Sequence, residues 1–119
     1  MITKEKKCLR GEIWYCDLGE GYASEQGGLR PVLVVQNDVG NKFSTTTIVA
    51  CITSATKNNL PTHVEINEIL PKTSTVMCEQ VRTIEKSRLI DRVGTLSKRT
   101  MNKVNKAMVV SIFNTREVY

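Results

Sequence analysis

Val32-Leu33-Val34-Val35 is apolar at every position, so it reads as a strand buried on both faces rather than a half-exposed one. A chain that contains it must place it inside. What precedes it is opposite in character: Ser24-Glu25-Gln26-Gly27-Gly28-Leu29-Arg30-Pro31 is a polar, glycine-hinged loop ending in one arginine. Gly27-Gly28 frees the backbone for positive φ or for close approach to another group. Pro31 fixes its own φ behind Arg30 and offers no donor. Asn37-Asp38, both turn formers, end the strand at about Asn37. A charged side chain at the root of a rigid strand, beside a loop, is a common way to build a site. The plainer alternative is a surface turn with a solvated arginine, since arginines are mostly exposed. These residues alone do not separate the two.

The rest of the chain supplies short strands around that one. Residues 12–18 alternate, with Ile13 and Tyr15 on one face and Trp14, Cys16 and Leu18 on the other. Residues 19–30 form a long loop with glycines at both ends, the composition of a lid. Residues 38–42 read as a turn, and 45–53 as a third strand ending in the hydroxyls of Thr53 and Ser54. Residues 62–67 alternate with Val64 and Ile66 inward and His63 and Glu65 outward, a half-exposed strand. Residues 74–84 read as a fifth strand, 86–89 as a helical turn and 93–96 as a short last strand. Ser97 is an N-cap for a closing helix over 98–113. Met101, Val104, Met108 and Ile112 form its apolar stripe, and Arg99, Lys103 and Lys106 a separate basic face that reads as solvated. The expected fold is mostly β with α: a small antiparallel barrel with a C-terminal helix packed across it.

At 119 residues the chain is expected to be one domain, 1–119, with 1–10 a frayed basic lead-in. No stretch approaches the roughly 18 apolar residues of a membrane span, and the charged N-terminus has no apolar continuation of the signal-peptide kind. A cytoplasmic location with no membrane partner is therefore expected. Cys8, Cys16, Cys51 and Cys78 lack any C-x-x-C spacing, and His63 is the single histidine. Reduced thiols, no metal site and no cofactor are the expectation. A net charge of +5 leans toward a polyanionic partner, which many basic domains nevertheless lack.

The usual catalytic constellations are missing. His63 has no nucleophile near it in sequence and reads as a surface histidine. Glu20, Glu25 and Asp38 carry no recognisable spacing, and neither a P-loop nor a dinucleotide fingerprint occurs. What remains is polar residues at strand ends: Arg30, Thr53, Ser54, Asn37, Asp38, Glu25, Gln26, Glu79 and Gln80. If strands two and three are antiparallel neighbours, Arg30 and Thr53 meet on one rim. An arginine fork and a hydroxyl handle phosphate rather than shuttle protons. Tyr22 beside such a rim can stack on a base, as single-stranded RNA requires.

The loop and strand from Ser24 to Asp38 resemble the signature of MazF/PemK-type toxins, endoribonucleases of toxin–antitoxin modules. Further stretches agree in the same order: Gly11-Glu12-Ile13-Trp14, Ile48-Val49-Ala50-Cys51-Ile52-Thr53, Leu60-Pro61-Thr62-His63-Val64-Glu65-Ile66 and Cys78-Glu79-Gln80-Val81-Arg82-Thr83-Ile84. The resemblance covers about residues 11–113. It implies an SH3-like/CcdB-like barrel, a homodimer, and metal-independent cleavage of single-stranded RNA at a short sequence. The products would be a 2′,3′-cyclic phosphate and a 5′-hydroxyl. It implies Arg30 and Thr53 as the catalytic pair. Tyr22, Ser24, Glu25, Gln26, Asn37, Asp38, Ser54 and Gln80 are the candidate RNA-binding residues around them. It also implies a cognate acidic antitoxin as partner, with operator DNA contacted only through that antitoxin. Where the family has glycine just before the Ser-Glu-Gln, this chain has Ala23. The alternative class is a non-catalytic toxin of the same fold that acts by protein binding, as gyrase poisons do; such a protein has no use for the Arg30–Thr53 pair.

Overall fold

The computed structural model describes residues 6–19, 28–55 and 59–113. Its strands are β1 (Glu12–Asp17), β2 (Leu29–Val34), β3 (Thr46–Thr53), β4 (His63–Ile66), β5 (Ser74–Glu85) and β6 (Leu89–Thr95). A short helix α1 (Asp38–Phe43) joins β2 to β3, a 3-10 turn (Lys86–Arg88) joins β5 to β6, and helix α2 (Lys98–Ile112) follows β6. All strand pairs are antiparallel, in the order β4-β5-β3-β2-β1-β6.

The doubly apolar strand lies where its composition demands, in the middle. Leu33 points into one core cluster, with Ile13, Ala50, Ile52, Val64, Val76 and Val104. Val32 and Val34 point into a second, with Trp14, Cys16, Val49, Cys51, Met77 and Leu89. The first cluster draws on both edges of the sheet and on α2, so the sheet coils around it. β4 and β6 do not pair, and the barrel stays open there. Ile69, between β4 and β5, packs so close to Gly94 of β6 that a Cβ at Gly94 would lie 3.0 Å from its Cγ2. Side-chain packing thus spans the gap that hydrogen bonds leave. The small antiparallel barrel with a closing helix is confirmed in this open form.

Four boundaries differ from expectation. β2 ends at Val34, and residues 38–42 belong to α1 rather than a turn. The Asn37 side chain accepts from the Gly40 N–H at 2.9 Å and caps that helix, while Asn41 is buried beneath it, so capping and burial override Gly40. β6 starts at Leu89 because β1 continues to pair with it across two register shifts. The lead-in is not frayed over residues 6–10. Cys8 is buried in the second cluster, the Leu9 N–H donates to Glu12, and Arg10 donates from Nε to the Val35 carbonyl at 2.9 Å. Residues 1–5 lie outside the described part. On α2, Ser97 caps as expected by accepting from Thr100 N–H. The buried positions are Val104 and Ala107; Ile112 is exposed, so the apolar stripe stops short of it.

Among the described residues no helix is long and apolar enough to cross a membrane.

Candidate functional site

The rim where β2 begins and β3 ends is built by two hairpin registers. In β1–β2, Cys16 lies opposite Arg30 and Asp17 opposite Leu29. Just beyond, the Leu18 N–H donates to the Gly28 carbonyl at 2.9 Å and the Gly28 N–H donates to Gly19. Gly19 and Gly28 both take positive φ, +74° and +77°, so the glycines serve the base of the loop, where the chain leaves and rejoins the sheet. Tyr22, Ala23, Ser24, Glu25, Gln26 and Gly27 lie outside the described residues.

In β2–β3, Val32 lies opposite Cys51 and Val34 opposite Val49. Continuing that register by two residues sets Arg30 opposite Thr53. Residues opposite one another share a face. Cys16, Arg30, Cys51 and Thr53 therefore stand on the face of the second cluster, at its open end. Thr53 is buried, and its Oγ1 accepts from the Ala55 N–H at 3.1 Å. That bond occupies a lone pair and leaves the hydroxyl hydrogen available to an acceptor.

Two more arginines, Arg82 and Arg88, reach this face, though residue pattern alone did not mark them as site residues. Burial pushes the Cys16 thiol up to about 11, against the opposing pull of Arg88 and Arg82, and burial likewise raises the Cys51 thiol against Arg82. Arg88 Nη1 donates to the Asp17 carbonyl at 3.1 Å, at the root of the loop. The thiols stay protonated and inert, while the guanidinium groups around them make the rim cationic. Register could have revealed Arg82, since it lies opposite Val49 on β3.

A cleft of about 190 Å³ opens beside the rim, lined by Tyr15, Arg30, Pro31, Ser54, Lys72 and Ser74 among others. Tyr15 and Lys72 are further groups that strand alternation alone did not mark as site residues. Lys72 is carried there by a strained loop. Ile69 has φ +73°, and the Leu70 N–H donates to the Glu68 carbonyl at 2.7 Å, the hydrogen bond of a γ-turn. A β-branched residue holds that conformation only when its surroundings insist. Here Ile69 packs on the first cluster, and Glu68 accepts from the Ser97 N–H at 2.7 Å and from Thr100 Oγ1 at 3.2 Å, tying the loop to the start of α2.

The other candidates are placed as follows. Ser54 is exposed on the cleft beside Thr53. Gln80 is half-buried in β5 at an irregularity, since Ala50 lies opposite Val81 but the next β3 residue, Cys51, lies opposite Met77. Asn37 and Asp38 lie past the far end of β2, seven and eight residues from Arg30. Both are engaged internally, Asn37 by the Gly40 N–H and Asp38 by the Arg10 N–H at 2.7 Å and by Asn41 Nδ2 at 3.1 Å. The single chain does not bring them to the rim.

His63 departs from expectation. Its side chain is only 8% exposed, and its Nε2 lies 2.9 Å from Glu79 Oε2. His63 lies opposite Met77, which makes Glu79, two residues on, its diagonal neighbour. Alternation gave the face but not this partner. Burial opposes ionisation of Glu79, yet hydrogen bonds from His63, its own backbone and Thr62 prevail and hold the carboxyl below its ordinary value. Among the described residues no three His, Cys, Asp or Glu side chains gather as a metal-binding group.

Residues 9–112 match the family described as PemK-like, MazF-like toxin of type II toxin–antitoxin system. The chain is 48% identical over 107 residues to endoribonuclease EndoA of Bacillus subtilis strain 168, covering 87% of this chain and 92% of that one. It is 46% identical to endoribonuclease MazF of Staphylococcus saprophyticus over 107 residues, covering 87% and 89%. Among solved structures, a mycobacterial endoribonuclease in complex with its cognate antitoxin superposes with a TM-score of 0.75 at 31% identity, covering 87% of this chain and 93% of that one.

Proposed function

This chain belongs to the PemK-like, MazF-like toxins of type II toxin–antitoxin systems, and from that premise we propose that it is an endoribonuclease that cleaves single-stranded messenger RNA at a short sequence without a metal ion. The observation that supports this reading is the β2–β3 register, which pairs Val32 with Cys51 and, extended by two residues, would set Arg30 opposite Thr53 on one face. The nucleophile belongs to the substrate. The ribose 2′-oxygen attacks the adjacent phosphorus as the bond from phosphorus to the 5′-oxygen breaks. The 2′-hydroxyl proton is lost and the 5′-oxygen gains one, which leaves a 2′,3′-cyclic phosphate and a 5′-hydroxyl. The protein must hold the chain in line and stabilise charge on the phosphorane. Arg30 supplies a fixed positive fork to its oxygens. The Thr53 hydroxyl, oriented by the Ala55 N–H, donates to one of them.

Tyr22, Ser24, Glu25 and Gln26 would hold bases around this centre from the loop, with Ser54 and Gln80 completing the surface. Asn37 and Asp38 would meet nucleotides well away from the scissile bond. In this reading the chain works as a homodimer in the cytoplasm, and an acidic antitoxin segment occupies the cationic rim in place of RNA. Operator DNA is met only through that antitoxin.

The test is to incubate the purified protein with a long single-stranded RNA in EDTA. The expected result is persistent cleavage with 2′,3′-cyclic phosphate ends, reduced at least about 10²-fold in Arg30→Ala and in Thr53→Ala. Cleavage abolished by EDTA, or unaffected by both substitutions, overturns the mechanism. Intact RNA with unfolded-protein controls passed would favour the protein-binding alternative. Sequencing the 5′ ends of the fragments gives the recognised sequence.

A further inference from the structure

Lys86 is 3% exposed, an unusual burial for an ammonium group. Its Nζ donates to the Asn41 carbonyl, and among the described residues no carboxylate lies within ion-pair distance of it. An ammonium has three donors, so two are left to what lies beside it. What lies beside it is a cavity of about 470 Å³, lined by Lys86, Lys6, Lys7, Lys42, Asn41 and Asp38 among others. Lys6 donates to the Ile90 carbonyl, and Lys42 stands 5.4 Å from the ring centre of Phe43, both neutral partners. Asp38 is the one carboxylate among the described residues of the lining, and its Oδ1 already accepts from Arg10 and Asn41. Among the described lining residues, four lysines against one carboxylate leave a net charge of three. A buried cation with spare donors facing a like-charged hollow is costly unless an anion enters.

We propose that this cavity is an anion site that takes the phosphoryl groups of a pyrophosphate or nucleoside polyphosphate, separate from the Arg30–Thr53 rim. Its charge exceeds what one carboxylate ligand would neutralise and matches a polyphosphate. Lysines, as flexible point charges, suit phosphate without demanding the planar fork geometry of a carboxylate. The volume falls in the ordinary range for a small ligand, roughly 300–1,000 Å³. The site is remote from the rim. The Lys86 N–H donates to the Thr45 carbonyl just before β3, whereas Thr53 closes that strand, about 26 Å away at about 3.3 Å per residue. The ribonuclease reading shares only Asp38 with this lining, and the proposal rests on the lysines, which that reading does not use.

The test is calorimetric titration of the full chain at low salt with pyrophosphate, with ATP and with a short single-stranded oligonucleotide. Saturable binding of pyrophosphate and ATP is expected, weakened at least about tenfold in Lys7→Gln/Lys42→Gln, whose side chains are exposed and whose removal leaves the core intact. Lys86→Met should abolish it, checked by an unchanged circular dichroism spectrum. Arg30→Ala should leave it unaltered. Absence of binding by pyrophosphate and ATP, or equal binding by the double variant, overturns the proposal. So does loss of binding in Arg30→Ala, which would put the anion on the rim. Binding of the oligonucleotide alone would assign the cavity to an RNA backbone phosphate and overturn the small-ligand assignment.

Discussion

Thr47 and Thr53 stand on the same strand, on the same face, and both are buried. At the Thr47 end the Asn41 side-chain amide is fully bonded. Thr47 Oγ1 donates to Asn41 Oδ1 at 2.6 Å, Gln36 Nε2 donates to the same oxygen at 3.0 Å, and Asn41 Nδ2 donates to the Gln36 carbonyl and to Asp38. Asn41 thereby uses all four of its hydrogen-bonding sites. At the Thr53 end the hydroxyl accepts from Ala55 but gives its hydrogen to no acceptor among the described residues. One threonine completes a network that holds α1 on the sheet; the other is left with something to donate. Polar density at a strand end means structure where the bonds close and chemistry where they stay open.

Paired substitutions put that contrast to the test, and the largest effect belongs to activity. Thr53→Val should lower RNA cleavage at least about 10²-fold while shifting the urea midpoint little. Thr47→Val should do the reverse, costing about 1–3 kcal/mol of stability through the weakened Asn41 network with cleavage within a few-fold of wild type. Equal activity losses in the two variants would erase the distinction. Asn41→Ala should be the most destabilising change at the closed end, about 2–4 kcal/mol by urea unfolding, since it orphans several buried groups at once. A loss below about 0.5 kcal/mol would mean that water replaces the network.

Glu68 tests a residue that serves both purposes. Glu68→Ala removes acceptors at the start of α2 and frees the strained Ile69 turn that carries Lys72 to the cleft. About 1 kcal/mol of stability should go, accompanied by a rise in KM for RNA. An unchanged KM would leave the loop a purely structural strap. The smallest effect is a pH dependence. The folded-state pKa of Glu79 is depressed, so its contribution is present above the ordinary carboxyl value and is lost as the pH falls through the lower folded one. Wild type should exceed Glu79→Gln in stability at pH 6–7, and the two should converge as the pH drops below about 4. The pair is partly solvated, so the gap should stay under about 1 kcal/mol. A gap that widens on acidification would reverse the assigned sign.

Much of this was legible in the chain. Val32 to Val35 demanded a central strand because no other position buries both faces, and Ser97 with the spacing of Met101 and Val104 fixed the closing helix. Arg30 and Thr53 were readable as strand-end residues of a phosphate-handling kind, and the family was readable from several motifs in order. What alternation could not supply was any contact set by register or burial. It missed the His63–Glu79 pair, which is diagonal across β4 and β5, and the arrival of Arg82 on the rim face. It also read Asp38 to Lys42 as a turn, because what holds a helix there is the meeting of Gln36, Asp38 and Thr47 side chains on the buried Asn41.

The sequence by itself therefore determined which strands are inner, which loop is polar and which residues could touch phosphate, since hydrophobic periodicity and residue chemistry are local properties. Only the tertiary structure decided which of two buried threonines keeps a hydrogen to give and where the Lys86 charge is stranded. Those depend on what the folded chain brings alongside each group, and a polar side chain acquires its role from the partners it finds or lacks.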